Sequence, residues 1–174
     1  NLRNFHEQTK LDELLNSIEQ EKTNLKSKVP IVVKISPDVS ENQVQQISEI
    51  LLKYQVKAII VSNTTEGNRE NLQNTSKHQK GGLSGKPLEL KSNQLINKFY
   101  NLLKNKIDII GVGGVDSGES AYNKFLAGAN YIQLYTGMVF QGPNIVVKIK
   151  KELKKLLIND GVKNFKEIVG KNNN

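Results

Sequence analysis

Two apolar runs in this chain end in residues that could cradle an anion. Ile109-Ile110 leads into Gly111-Val112-Gly113-Gly114, and Tyr131-Ile132-Gln133-Leu134 leads into Tyr135-Thr136-Gly137. Glycine at a strand end lets the backbone turn sharply and approach a ligand, leaving N–H groups free to donate to phosphate oxygens. A dinucleotide fingerprint starting at Gly111 fails, because its sixth position is Asp116, whose carboxylate would face a pyrophosphate. Lys34 interrupts the β-branched run 31–36, and an ammonium in a strand built for burial needs an anionic partner, either a ligand or a structural carboxylate. Ser62-Asn63-Thr64-Thr65 sets four hydrogen-bonding side chains in a row, suited to reading a polar planar ligand and equally to turn chemistry. Asp38 and Asp116 each follow an apolar run and read as helix caps. His6 and His78 have no partner at metal-ligand spacing, and no nucleophile with an attendant base can be assembled, so neither a metal nor covalent catalysis is implied.

These residues need elements to hold them. Leu11, Leu14, Leu15 and Ile18 fall at helical spacing and predict a helix over 10–26. The run 30–36 is continuous and apolar apart from Lys34, the pattern of a strand buried on both faces in a parallel sheet. A second helical pattern runs from Ser40 to Tyr54, a second strand over 57–63, a third helix from Pro87 to Leu103, a third strand over 107–113, and a short helix closed by Gly128. A fourth strand spans 130–136 and a last helix 144–159. Residues 64–86 form a polar connection longer than most, which marks a candidate binding loop. An α element followed by four β/α units implies right-handed parallel crossovers, giving either half of a (β/α)8 barrel or an open doubly wound sheet. In a barrel, the last two strand-end loops are where phosphate commonly binds, and GVGG and YTG occupy those places.

The 174 residues contain no cysteine, which excludes a disulfide framework and thiolate zinc sites. A composition of 37% hydrophobic and 24% charged residues fits a globular chain with a core. No run is long and apolar enough to span a membrane, and the first thirty residues lack a signal-peptide pattern. The net charge of +8 would suit a polyanion, but Arg3 and Arg69 are the only arginines and the lysines are scattered, so no nucleic-acid partner is expected.

The ordered segments VVKISPD, VSNTT, GGLSGKPLELKS, IIGVGGVDSGESA and YIQLYTGMVFQGP resemble the class 2, quinone-linked dihydroorotate dehydrogenase family over residues 1–170. The resemblance implies an α/β (β/α)8 TIM barrel, of which this chain supplies the last four β/α units. It assigns residues 1–170 to the C-terminal half of that barrel, while composition makes 171–174 a disordered tail. It implies FMN as cofactor and a flavoprotein oxidoreductase that converts dihydroorotate to orotate in pyrimidine (UMP) biosynthesis, with quinone as electron acceptor. By the same resemblance Lys34, Ser62, Gly85, Gly114, Tyr135 and Thr136 contact FMN, with Lys34 beside the isoalloxazine, while Asn63 and Thr64 hold the orotate ring. The catalytic base would be a serine upstream of Asn1. The first half of the barrel and an N-terminal helical element that meets the membrane and admits quinone would also lie there. A peripheral membrane location follows, on the cytoplasmic side of the inner membrane in a bacterium. A non-catalytic flavin- or phosphate-binding module, or another phosphate-binding barrel enzyme, stays open on the residues alone.

Overall fold

A computed structural model describes residues 7–67, 69–103 and 105–173; Arg3, His6 and Asn174 lie outside these. The elements follow in the order α1 (Gln8–Asn24), β1 (Val32–Ile35), α2 (Glu41–Lys53), β2 (Ala58–Val61), α3 (Glu89–Leu103), β3 (Asp108–Val112), α4 (Gly118–Ala127), β4 (Tyr131–Gln133), α5 (Thr136–Gln141) and α6 (Ile145–Asn159). Short 3-10 turns occupy Thr75–His78, Lys86–Leu88, Phe165–Ile168 and Lys171–Asn173.

Local chemistry sets the helix ends. The Ser40 hydroxyl accepts from the Gln43 N–H at 3.3 Å while Gln43 Oε1 accepts from the Ser40 N–H at 2.9 Å, a reciprocal cap that starts α2. Ser117 and Ser120 start α4 in the same way. The caps are therefore Ser40 and Ser117, whereas Asp38 and Asp116, expected in that role, are directed elsewhere. Gly128, at φ 119°, ends α4 in a backbone conformation that a side chain would strain, and a Cβ there would lie 2.5 Å from Tyr100.

All four strands are parallel, in the order β1-β2-β3-β4. A doubly wound sheet reverses its strand order and covers both faces with helices; a barrel adds each strand beside the last. The unreversed order decides for four consecutive units of a barrel. Register pairs Lys34 with Ile60 and Ile60 with Ile110, so these side chains share one face, while Ile35, Val61 and Gly111 share the other. The second face carries the core. Ile35, Ile59, Val61 and Ile109 pack with Leu11 and Leu15 of α1, Ile47 and Leu51 of α2, and Ile96, Phe99 and Leu103 of α3. Each such burial contributes about 1.5–3 kcal/mol. A smaller cluster joins Val115, Ala121, Ile145 and Ile149 under α4 and α6.

β1 differs from its expected burial on both faces. Val32 and Lys34 are exposed and only Ile35 is fully buried, because helices cover one side of the sheet and the other side of β1 is open. Lys34 consequently stands on an uncovered face, and among the described residues no carboxylate pairs with it.

Candidate functional site

The carboxyl ends of all four strands border one cavity of about 420 Å³, a volume in the range of small-molecule sites. Lys34 comes from β1, Ser62, Asn63 and Thr64 from the end of β2, Gly113 and Gly114 from the end of β3, and Tyr135 and Thr136 from the end of β4. Gly85 enters from the far limb of the 64–86 connection. All eight residues singled out from the sequence, Lys34, Ser62, Asn63, Thr64, Gly85, Gly114, Tyr135 and Thr136, line this single space.

Backbone bonds lock the strand ends together. The Asn63 N–H donates to the Ile35 carbonyl at 2.8 Å and the Ser62 N–H to the Val112 carbonyl at 3.1 Å, so the SNTT segment is tied to both neighbouring strands. Asn63 Oδ1 accepts from the Thr64 N–H at 2.9 Å, which leaves the Asn63 amide nitrogen as the group available for donation. The Gly113-Gly114 turn runs at φ 116° and 75°. A Cβ on Gly114 would stand 2.4 Å from that of Glu89, so the start of α3 packs directly against this backbone.

The long connection is anchored at three points. Thr65 and Leu83 pair as an antiparallel bridge, with bonds of 3.1 and 2.7 Å. The Arg69 guanidinium donates to the carbonyls of Lys77 and Gln79, at 3.0 and 2.7 Å, and to that of Gly81. Asp38 makes the third anchor: its Oδ1 accepts from Thr65 Oγ1 and Lys91 Nζ, each at 2.5 Å, and its Oδ2 accepts from the Glu66 N–H at 3.0 Å. This arrangement brings the far limb back across the cavity, where Thr136 Oγ1 donates to Ser84 Oγ at 2.9 Å and Gly85 passes close to the Thr136 methyl.

Burial alone would raise the Asp38 carboxyl, but the bonds from Lys91, Thr65 and the Glu66 N–H outweigh it and hold the group below the usual carboxylate range. A carboxyl whose folded-state pKa is depressed stabilises the fold above its unfolded value and loses that contribution as pH falls through the folded value. The connection should therefore loosen on acidification. Limited proteolysis within 66–82 is expected to quicken as pH drops below the ordinary aspartate range, and Asp38→Asn should give the faster cutting already at neutral pH. Equal cutting rates for the two proteins at neutral pH would remove Asp38 as the anchor.

Residues not singled out as contacts also line the space, among them Ser84, Lys86, Leu88, Asp116 and Phe140. Lys86 Nζ lies 2.7 Å from Glu89 Oε2 and 3.7 Å from Asp116 Oδ1, and the Glu89 bond raises the lysine above its ordinary range against a smaller effect of burial. The segment GGLSGKPL contains Ser84 and Lys86, and its glycine-hydroxyl-glycine order was the available signal for them. Phe140 carried none, since its exposure on α5 depends on how that short helix leaves β4.

The dihydroorotate dehydrogenase family model matches residues 1–157, a span that holds the four parallel β/α units and every residue lining the cavity. The chain belongs to the dihydroorotate dehydrogenase family. It is 42% identical over 156 residues to the dihydroorotate dehydrogenase (quinone) of Idiomarina loihiensis, covering 87% of this chain and 46% of that protein. To the mitochondrial dihydroorotate dehydrogenase (quinone) of Mus musculus it is 39% identical over 171 residues, covering 97% of this chain and 43% of that one. The crystal structure of the Eimeria tenella DHODH in complex with ferulenol superposes with a TM-score of 0.92 at 28% identity, covering 98% of this chain and 50% of that chain. The chain thus spans less than half the length of the two curated dehydrogenases and half of the superposed structure. The β/α units expected from the sequence are those of this family's fold. None of the helices in the described residues is long and apolar enough to cross a membrane.

Proposed function

We propose that these residues form the cofactor- and substrate-binding half of an FMN-dependent dihydroorotate dehydrogenase, which oxidises dihydroorotate to orotate for pyrimidine biosynthesis and passes electrons to quinone. The observation that carries the reading is the convergence of eight residues, from four strand ends and one connecting loop, on a single cavity. The lining suits FMN. Glycine at 113 and 114 lets the turn take positive φ and lie directly against Leu88, Glu89 and Ser92, which puts its backbone on the cavity wall within reach of a phosphate; Thr136 adds a hydroxyl, and Leu88, Val112 and Leu134 supply apolar wall for a flat ring system. FMN, when bound, supplies the acceptor for the hydride that leaves the substrate.

The chain's own groups then have distinct tasks. Gly114, Tyr135 and Thr136 hold the phosphate end, and Gly85 brings the connecting loop against Thr136. Ser62 fixes the β2 end through its tie to Val112. Lys34, exposed on the cavity wall without a carboxylate partner among the described residues, offers its charge to an electron-rich ligand. Asn63 and Thr64 read the pyrimidine: the Asn63 amide donates toward its oxygens, and Thr64 both donates and accepts. Quinone reduction and a peripheral membrane location accord with the quinone in the names of the relatives.

Asn63→Ala in the native full-length protein tests the substrate assignment. The lost hydrogen bond should leave a ligand oxygen unpaired and weaken orotate binding by about 1–3 kcal/mol, with FMN content unchanged. Isothermal titration with orotate reads the effect, and an unaltered dissociation constant would withdraw Asn63 from the site.

A further inference from the structure

A buried cation stands behind the glycine turn and has no part in the function assigned above. Lys124, on α4, is 0% exposed, and its chain runs beside Gly111, where a Cβ would come within 3.2 Å of the lysine Cδ. Its ammonium donates to Ser92 Oγ at 3.1 Å and to Asn93 Oδ1 at 2.8 Å, both on α3. Ser92 Oγ lies 2.7 Å from the Val112 carbonyl and 3.4 Å from that of Val61. The Val112 carbonyl is the one that also accepts from the Ser62 N–H, and it immediately precedes Gly113. A Cβ on Gly113 would sit 3.3 Å from that of Ser92, so the serine is packed directly under the turn.

Donor and acceptor counts give this chain of bonds a direction. An ammonium has donors and no lone pair, so Ser92 Oγ must accept from a charged Lys124 and direct its single proton to a strand-end carbonyl. A neutral amine has a lone pair and can take the serine proton instead, which would leave the Val112 carbonyl with the Ser62 N–H as its one donor. We propose that Lys124 is a positioning residue for the flavin phosphate turn, setting the hydrogen-bond direction at the Val112 carbonyl through Ser92 and thereby the aim of the Gly113 and Gly114 N–H groups. The inference rests on the FMN assignment made above, and Lys124 itself touches no ligand.

The proton on Lys124 is free to change near neutrality. Burial pushes the ammonium down to about 7, and Glu89, in the first turn of α3, opposes this from a distance while paired with Lys86. The other charged groups around α4 are engaged elsewhere. On α6, Glu152 accepts from the Gly118 N–H, and just past its end Asp160 accepts from the Tyr122 hydroxyl; in the 165–168 turn, Glu167 accepts from the Asn164 N–H and Lys166 points its charge to no carboxylate among the described residues.

The test is the dissociation constant of FMN in the native full-length protein, followed by flavin fluorescence from about pH 6 to about pH 9. The wild-type constant should rise about tenfold through an inflection near neutrality, beyond the contribution of the phosphate's own ionisation. Lys124→Gln keeps a donor toward Ser92 and cannot titrate, so it should bind FMN without that inflection. Should Lys124→Gln fail to fold, Ser92→Ala breaks the relay at its middle and must lose the same inflection. An inflection retained in whichever variant folds, or missing from the wild type, overturns the inference. Failure of the wild type to bind FMN at any pH overturns the proposed function and this inference with it, whereas normal binding with unchanged profiles overturns this inference alone.

Discussion

Residues 1–174 alone, supplied with FMN, dihydroorotate and a quinone, should oxidise dihydroorotate no faster than a protein-free control. The reaction removes a proton from one carbon as hydride leaves its neighbour, and a positioned base contributes about 10² to 10⁴ to such a rate. The serines near the cavity are committed to other work. Ser36 Oγ accepts from the Asp38 N–H at 3.2 Å, Ser62 Oγ donates to the Asn63 carbonyl at 3.1 Å, Ser84 Oγ accepts from Thr136, and Ser92 is bound to Lys124 beneath the turn. Asp38 and Asp116, the nearby carboxylates that follow strands, face Lys91 and Lys86. Stopped-flow absorbance of orotate formation is the measurement. Turnover above the control would place the base among these residues and require the assignments of Ser62 and Ser84 to be redone.

The second large effect is expected at Gly114. Its φ of 75° strains any residue with a side chain, and a Cβ would press to 2.4 Å on the Glu89 Cβ and 2.8 Å on its Cα. Gly114→Leu must therefore push the start of α3 away or rotate the turn, and either movement withdraws N–H groups from the phosphate. Strain of about 1–3 kcal/mol and the loss of a charge-assisted hydrogen bond of about 1.5–3 kcal/mol together amount to roughly two to four powers of ten in FMN affinity. Gly142→Ala provides the contrast. That residue has a φ of 74° with nothing within 4 Å of an added Cβ, so it carries backbone strain without displacing the turn. It should cost stability while leaving FMN affinity intact. Full flavin content in purified Gly114→Leu, measured by absorbance at the flavin band, would remove this turn from the phosphate site.

How far such effects could be foreseen from the chain differs between elements. The strands ending at Val61 and Val112 were legible because β-branched residues cluster there without helical spacing, and the helices because Val44, Ile47 and Leu51, or Leu95, Ile96, Phe99 and Leu103, fall on one face. Glycines and hydroxyls at strand ends were legible for a related reason. Their chemistry is local, since a turn needs glycine where the backbone must reverse, whatever lies beyond it.

The anchor on the connecting loop was not legible. Asp38 meets Thr65 across 27 positions and Lys91 across 53, and its sequence neighbours gave it the look of a helix cap until Ser40 was found in that role. Lys34 looked buried because an apolar run contains it, yet whether a strand face is covered depends on which other elements lie over the sheet. Lys124 was not legible either: only the packing of α4 against α3 puts it at 0% exposure with Ser92 and Asn93 as partners.

The order of β/α units, the kind of chemistry at their ends and family membership were thus written in local patterns, because propensity, periodicity and motif spacing are short-range properties. On residue patterns alone barrel and doubly wound sheet both stayed open and the family resemblance favoured the barrel; strand order decided it, and the gathering of eight separated residues around one cavity and the burial of Lys124 behind the glycine turn came from strand order and helix packing. Those depend on contacts between residues far apart in the chain, which no local pattern of residue types specifies.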